Sequence, residues 1–282
     1  MRYSIFDPTG NITALVETDV PVQEQPAVAA FVQARHPVAE QVGFVRFNPA
    51  DNNDVPSDSI PVQLRMAGGE FCGNATMSAA AWYLMREAPL SKDESRAVKV
   101  AVDGVEHPLT VVLTADAAKE YDACLAFPCA MTVGREELLY EKDRKEVLCV
   151  QMEGITHLIP DDQDGLYELK NDPEKAAAAV RYFCDQLHCE ALGIMFLEKD
   201  RDGRKDSYQL TPLVYVPRSN TLFWEHSCAS GTAACGYAIA NERGDAAELV
   251  FTEPGGVMRI SFDPSGGELL LHGHTRLVSE LR

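Results

Sequence analysis

Two cysteines, each at the start of a segment of small residues, are the side chains in this sequence best placed to do chemistry. Cys72 opens the run Cys-Gly-Asn-Ala-Thr and Cys228 opens the run Cys-Ala-Ser-Gly-Thr. Both runs lead into alanine-rich segments that are typical of buried helices. A thiol at a helix N-terminus lies at the positive end of the helix dipole, which lowers its pKa from about 8.5 toward neutrality. Each cysteine is therefore predicted to act as a base or a nucleophile.

The residues that follow each cysteine predict an anion site. Gly73 and Asn74 follow the first cysteine, and Ala229 and Ser230 follow the second. Their amides lie in the first helical turn, where N–H groups lack intrahelical acceptors and small side chains let an anion approach. If both helix starts bind one amino-acid carboxylate, the two sulfurs can reach opposite faces of its Cα. One thiolate would remove the Cα proton while the other thiol donates one, which is racemisation.

Three other interpretations of the two cysteines stay open on the residues alone. Free cysteine is commonly a small buried hydrophobe, so both could be packing residues. Two apposed thiols could form a redox disulfide in an amino-acid-binding protein. A cysteine hydrolase would need one nucleophile and a dedicated histidine base. We favour the racemase because it explains why both helix starts carry the same motif. No lysine stands in a Schiff-base setting, so pyridoxal phosphate is not implied and no cofactor is predicted.

The predicted elements place the two cysteines at equivalent points of a repeat. The first half is predicted to contain a strand pair around the turn at 7–11, a helix over 26–34, strands over 40–47 and 61–66, and a helix from 72 to about 86. The second half repeats this order, with strands within 98–127 and over 147–158, a helix over 172–189, strands over 192–197 and 211–217, and a helix from 228 to about 241. The order indicates a duplication.

Composition excludes several classes of protein. The chain has 282 residues, and 25 Lys and Arg against 43 Asp and Glu give a formal net charge of −18, which disfavours a nucleic-acid partner. No apolar run approaches the roughly 18 residues that cross a bilayer, and the N-terminus lacks the pattern of a secretory signal. We therefore expect a cytoplasmic protein without a membrane partner. In that compartment its 8 cysteines remain thiols.

The two cysteine motifs also carry a resemblance to a known family. They read FCGNATMS and SCASGTAA, and further matching stretches are FDPTGN, EQVGF, PLVYVP, LFWEHSCASGTA and EPGG. The sequence thereby resembles the cofactor-independent diaminopimelate epimerase and proline racemase superfamily. Within it, the sequence is most similar to the histidine racemases of staphylopine-type metallophore biosynthesis. The matching stretches run from residue 6 to residue 256, so the resemblance covers nearly the whole chain.

The resemblance implies a fold and a domain organisation. The expected class is α/β (α+β), with two pseudo-symmetric domains, each a curled, mostly antiparallel sheet around a central helix. The domains are expected at 1–124, carrying Cys72, and 125–282, carrying Cys228, with the last strand able to return to the first domain. A homodimer is implied by the resemblance alone. Carried over residue by residue, the two cysteines are the acid/base thiols, and Gly73, Asn74, Ala229 and Ser230 supply amides to the α-carboxylate.

The resemblance also implies substrate contacts, each with a structural alternative. Asn11 matches an early asparagine that contacts substrate, but could equally be a turn residue with positive φ. Glu40 could pair with a substrate imidazole or amine, or face solvent. Glu225 is a candidate for the substrate ammonium, or an exposed loop acid. His157 lies where the epimerases carry a Gly-Asn-Pro-His run, although a strand histidine is more often packed.

Departures from the diaminopimelate epimerases predict the substrate. Those enzymes use a Glu-Arg pair to bind the distal end of a long zwitterionic substrate, and this sequence has Ser219-Asn220 there. Without the arginine, a distal carboxylate would be poorly compensated. We therefore predict histidine as the substrate, with diaminopimelate or another amino acid as the alternative.

The remaining cysteines and histidines carry weaker signals. Cys184 and Cys189 flank His188 without the spacing of a zinc site, so no metal is predicted. His272 and His274 are predicted to lie at a strand end.

Overall fold

The computed structural model describes residues 1–48, 60–127, 131–161, 163–200, 206–263 and 267–281. The chain divides into one unit of Met1–Phe127 with Leu270–Arg282 and a second unit of Pro128–Leu269. Both units mix helices with a larger number of strands, which confirms the predicted mixed α/β class. None of the described helices is both long and apolar enough to cross a bilayer.

Sixteen strands and four α-helices lie in the described part of the chain. The strands are β1 (Tyr3–Pro8), β2 (Thr13–Val16), β3 (Gln41–Phe47), β4 (Val62–Met66), β5 (Ser95–Val102), β6 (Leu109–Ala117), β7 (Glu120–Phe127), β8 (Thr132–Tyr140), β9 (Asp143–Met152), β10 (Ile155–Ile159), β11 (Leu192–Lys199), β12 (Ser207–Val216), β13 (Thr221–Trp224), β14 (Ala247–Glu253), β15 (Gly256–Phe262) and β16 (Leu269–Leu281). The helices are α1 (Gln25–Arg35), α2 (Gly73–Glu87), α3 (Pro173–Leu187) and α4 (Ala229–Arg243).

The sheet of the first unit closes into an eight-stranded barrel. Its strand order is β1-β2-β3-β4-β5-β6-β7-β16, and β16 pairs back onto β1, with Tyr3 opposite Leu281 and Pro8 opposite Thr275. The β2–β3 and β4–β5 pairs are parallel, so each needs a crossover, which α1 and α2 supply. The sequence predicted a curled sheet but not its closure. Closure removes the exposed sheet edges.

Helix α2 lies inside this barrel and packs against β1 to β7. Its buried residues are mostly small, and they include the run Ala79-Ala80-Ala81. Small side chains let the helix backbone approach the strands closely, which a barrel of eight strands requires because its interior is narrow. The alanine-rich composition that predicted a buried helix is thus explained by the space available to it.

The second unit has its own sheet, in the order β15-β14-β12-β11-β10-β9-β8, with β13 paired to β12. The β10–β11 and β12–β14 pairs are parallel, and their crossovers contain α3 and α4 respectively. Helix α4 packs against β10, β11, β14 and β15 and is buried along most of its length. The strand-end prediction for His272 and His274 is wrong, because both lie in the middle of β16, which is 13 residues long.

Candidate active site

Cys72 is the N-cap of α2 in the first unit. Its backbone is extended, at φ −136° and ψ 107°, and its sulfur accepts the amide of Ala75 at 3.5 Å. Gly73 and Asn74 are the first two residues of the helix, and both are buried. A sulfur that already accepts a first-turn amide lies where the helix dipole favours an anion.

Cys228 is the N-cap of α4 in the second unit, with nearly the same backbone angles, φ −133° and ψ 100°. It is 5% exposed, and Ala229 and Ser230 form the first helical positions. Burial raises the pKa of Cys228 well above its ordinary value, as do the charge of Glu225 and a hydrogen bond with it, whereas the hydrogen bond with Ser230 lowers it. In the free protein this sulfur is therefore a thiol, and the lowered pKa predicted from its place at a helix start is wrong for Cys228.

The threonine shared by the two motifs contacts the carbonyl oxygen of its cysteine in both units. The hydroxyl of Thr76 donates to the carbonyl oxygen of Cys72 at 2.8 Å. The hydroxyl of Thr232 lies 2.8 Å from the carbonyl oxygen of Cys228. Each threonine amide also donates to the same carbonyl, at 3.0 Å for Thr76 and 2.8 Å for Thr232. The Cys-x-x-x-Thr spacing thus places a hydroxyl one helical turn after the N-cap, where it holds the carbonyl of the cysteine.

A short chain of polar groups connects His157 to the sulfur of Cys228. His157 Nε2 lies 3.0 Å from Ser230 Oγ, which in turn lies 3.6 Å from Cys228 Sγ. His157 is fully buried in β10, and burial lowers its pKa to about 3, so the ring is neutral. A neutral imidazole that donates from Nε2 leaves the serine hydroxyl hydrogen for the sulfur.

Gly193 provides the space for the imidazole. A Cβ atom at this position of β11 would lie 2.3 Å from His157 Nδ1, closer than any real contact. The Nδ1 atom itself has no hydrogen-bond partner among the described residues. The histidine is therefore held by close packing and by its single bond to Ser230, not by a polar contact on each side of the ring.

Glu40 and Glu225, for which the sequence left solvent exposure open as an alternative, are both buried. Glu225, which follows β13, is 4% exposed, and its backbone amide donates to the carbonyl oxygen of Pro212 at 3.0 Å. Glu40 is 6% exposed, and its Oε2 accepts the side-chain amide of Asn11 at 2.9 Å. The alternatives that made them exposed acids are wrong, because both side chains are removed from water.

Asn11 is buried, and it is not a positive-φ residue. That conformation belongs to Thr9 and Gly10, at φ 51° and 89°, so the turn alternative for Asn11 is wrong. The structure brings Asn11 to Glu40 in the first unit, and it brings His157 and Glu225 to Cys228 in the second.

Glu253 is a buried residue that the sequence did not single out. Its Oε2 accepts the Cys228 amide at 2.7 Å, and its Oε1 lies 2.6 Å from Thr232 Oγ1. Burial raises the pKa of Glu253 to about 8. The only sequence signal was its place in the stretch EPGG, which was used for the resemblance and not for the site.

Other potential ligands lie apart from the helix starts. The sulfurs of Cys184 and Cys189 lie 3.6 Å apart at the end of α3. In the described part of the chain, the one group of three potential metal ligands is Asp116, Glu120 and His274, whose ligand atoms lie within 4.8 Å of one another. Exposed acidic groups of this kind are common without an ion.

Comparisons with known proteins identify the family. The model of a family described as the histidine racemase CntK N-terminal domain matches residues 1–280. A histidine racemase of Staphylococcus aureus is 29% identical over 263 residues, which cover 93% of this chain and 88% of that protein. One from Fusobacterium nucleatum subsp. nucleatum is 28% identical over 283 residues, covering 98% and 94% respectively.

Solved structures of low sequence identity share the fold. A probable proline racemase from Agrobacterium radiobacter, with bound carbonate, superposes with a TM-score of 0.67 at 12% identity, over 100% of this chain and 92% of that one. A hydroxyproline epimerase from Agrobacterium vitis, with bound trans-4-hydroxy-L-proline, gives the same TM-score and identity, over 100% and 91%.

Proposed function

Because the chain belongs to the histidine racemase CntK N-terminal domain family, we propose that it interconverts L-histidine and D-histidine. It is an isomerase of the amino-acid racemase and epimerase type. The family match over residues 1–280 carries the choice of histidine. The absence of the distal Glu-Arg pair, replaced here by Ser219-Asn220, supports a short substrate over diaminopimelate.

The proposed reaction moves one proton off the substrate Cα and another onto its opposite face. Cys72 and Cys228 are the proposed acid/base pair, and no cofactor takes part. Racemisation needs one sulfur as thiolate and the other as thiol, and the two exchange roles after each turnover. Burial raises the pKa of Cys228, which makes it the thiol, and hence the proton donor, in the free enzyme.

The α-carboxylate of the substrate is proposed to bind the helix-start amides. In the first helix these are the amides of Gly73 and Asn74, and in the second those of Ala229 and Ser230. When the Cα proton leaves, negative charge develops on this carboxylate, and amides that are already aligned stabilise it without reorganisation. The proposal is supported by the local geometry of both N-caps.

Four other side chains are proposed to serve substrate binding. Glu225 is assigned to the substrate ammonium, and Glu40, held by Asn11, to the imidazole or amine. His157 is fully buried and bonded to Ser230, so its proposed contribution passes through that serine.

The broader context of the enzyme is also a proposal. We propose that the enzyme is a cytoplasmic homodimer that takes part in metallophore biosynthesis. The two proposed domains of each chain are the unit of Met1–Phe127 with Leu270–Arg282 and the unit of Pro128–Leu269. A mechanism that uses two thiols requires a reducing compartment, which supports the cytoplasm. Genes for a nicotianamine-like synthase and an opine dehydrogenase beside this one would support the pathway.

The decisive experiment is incubation of single L-amino acids with the protein in D₂O and reducing buffer. Incorporation of deuterium at Cα, followed by NMR, together with loss of optical rotation for histidine, is the expected result. Exchange with diaminopimelate but not with histidine would overturn the substrate. No exchange with any amino acid would favour an amino-acid-binding protein whose cysteine pair is redox-active.

A further inference from the structure

A carboxyl group that the proposed reaction does not use lies against the second helix start. Glu253 is the last residue of β14 and precedes the turn at Pro254-Gly255-Gly256. The amide of Gly255 donates to the carbonyl oxygen of His226 at 2.7 Å, which fastens the turn to the segment before Cys228. The side chain of Glu253 is 5% exposed, so its carboxyl group is removed from water.

The first contact of Glu253 completes the N-cap of α4. Its Oε2 accepts the backbone amide of Cys228 at 2.7 Å. In many helices a glutamate at the third helical position accepts this amide. That position of α4 is Gly231, which has no side chain to do so. Glu253 therefore supplies from a neighbouring strand the acceptor that the helix lacks.

The second contact of Glu253 indicates where its proton lies. Thr232 has one hydroxyl hydrogen but two oxygens within reach, the Cys228 carbonyl at 2.8 Å and Glu253 Oε1 at 2.6 Å. In the first unit, Thr76 donates to the Cys72 carbonyl at 2.8 Å. If Thr232 does the same, the contact with Glu253 needs a hydrogen from the carboxyl group.

The surroundings agree with a neutral acid. Among the described residues no cationic side chain pairs with Glu253, and burial raises its pKa to about 8, against the hydrogen bonds with Thr232 and the Cys228 amide, which lower it. The titratable groups on which its charge would act are Cys228 and Cys235, and in both cases a carboxylate raises the pKa of the thiol. Glu225 acts on Cys228 in the same direction.

We propose that Glu253 is a positioning residue that holds the backbone of Cys228 as a neutral carboxylic acid. A neutral acid satisfies the N-cap amide without placing a negative charge beside the end of the helix that is to bind an anion. A carboxylate there would oppose both the Cys228 thiolate and the substrate carboxylate. The effect on catalysis rests on the proposed function, whereas the protonation state does not.

The protonation state is tested by infrared spectroscopy on the whole protein. The wild type at pH 6 should show a carboxylic-acid C=O band that is missing from Glu253→Gln and retained in Glu248→Gln, an exposed residue of the same strand. No difference between the wild type and Glu253→Gln would overturn the proposal. Because this measurement needs no substrate, it can succeed or fail independently of the racemase assignment.

The positioning role is tested by kinetics with two variants. Gln resembles the neutral acid, since it can accept from Cys228 and donate to Thr232, so Glu253→Gln should keep kcat within about threefold at pH 7. Glu253→Ala removes both contacts and should lower kcat by about ten- to hundredfold, because about 1–3 kcal/mol is lost when a buried group loses its partner. A Gln variant as inactive as the Ala variant would show that the charge is needed and would overturn the proposal.

The dependence of activity on pH separates this role from a merely structural one. In the wild type, kcat should decline as Glu253 ionises, above about pH 8. Glu253→Gln cannot ionise at this position and should lack that decline, whereas Glu248→Gln should keep it. Identical profiles for the wild type and Glu253→Gln would contradict the proposal even if both proteins fold.

Discussion

The Nε2 atom of His157 lies 3.0 Å from the hydroxyl oxygen of Ser230, two residues after the cysteine that this serine contacts. The histidine is therefore one step removed from the sulfur. Because its ring is buried and neutral, it orients the serine hydroxyl and does not itself carry charge to the site. Loss of the Ser230 hydroxyl should therefore change the pKa of Cys228 directly.

Replacing Ser230 with Ala is expected to raise the pKa of Cys228. Its hydroxyl is the contact that lowers this pKa, and a hydrogen bond to a charged group contributes about 1.5–3 kcal/mol, or roughly one to two pKa units. The rate of iodoacetamide alkylation at Cys228, followed by peptide mass spectrometry as a function of pH, measures the change. Ser261→Ala, which alters a serine on β15, is the control. An unchanged alkylation profile in Ser230→Ala would remove the serine from the site.

Replacing either Cys72 or Cys228 with Ser is expected to abolish racemisation. A hydroxyl is a far weaker acid than a thiol, so neither position could pass a proton at neutral pH, and we expect a loss of at least about a thousandfold. Cys124→Ser, at a half-buried cysteine of β7, should remain active. The activity of each variant is followed by Cα deuterium exchange together with optical rotation. Substantial racemisation after loss of one cysteine would contradict the proposed two-thiol mechanism.

His157 should make the protein less stable in acid. Its pKa is lowered from 6.5 to about 3 in the folded state, so between these values the unfolded chain binds a proton that the folded protein does not. The free energy of unfolding therefore falls as the pH is lowered from about 6.5, by up to about 1.4 kcal/mol per pH unit. Above pH 6.5 the contribution is complete.

This dependence is measured by urea denaturation between pH 4 and 8, comparing each variant with the wild type at the same pH. In His157→Gln the difference from the wild type should shrink as the pH falls, because the variant has no histidine to protonate. His107→Gln changes an exposed histidine and should show a constant difference. A constant difference in His157→Gln as well would mean that burial does not lower this pKa.

The two equivalent threonines should differ in their contribution to stability. Thr76→Val removes one hydroxyl contact to a carbonyl that still accepts a backbone amide, so it should cost about 1 kcal/mol. Thr232→Val also removes a partner of the buried Glu253, which should bring the cost to about 2–4 kcal/mol. Urea denaturation of both variants at pH 7 gives the comparison. Equal costs would mean that the contact between Thr232 and Glu253 contributes nothing.

Local features of the site were predictable because their causes are local. A cysteine followed by small residues and a threonine four positions later specifies an N-cap, and the helices begin one residue after each cysteine, at Gly73 and Ala229. The start of α3 has a local cause as well, since Asp172 caps the helix that begins at Pro173 and its side chain accepts the amide of Lys175 at 3.1 Å.

Features that depend on packing were not predictable in the same way. The sequence pattern around Glu40 and Glu225 did not decide whether their side chains face solvent. Their burial follows from the partners that the tertiary structure brings to them. The barrel closes through Tyr3 and Leu281, at the two ends of the chain, and no local pattern records that pairing.

The sequence by itself determined the two helix starts and the family. The tertiary structure alone decided what surrounds Cys228: His157 contacts Ser230 across 73 residues of chain, and Glu253 contacts Cys228 across 25. The physical reason is that capping depends on neighbours within one helical turn, whereas burial and protonation depend on which distant strands exclude water from a group.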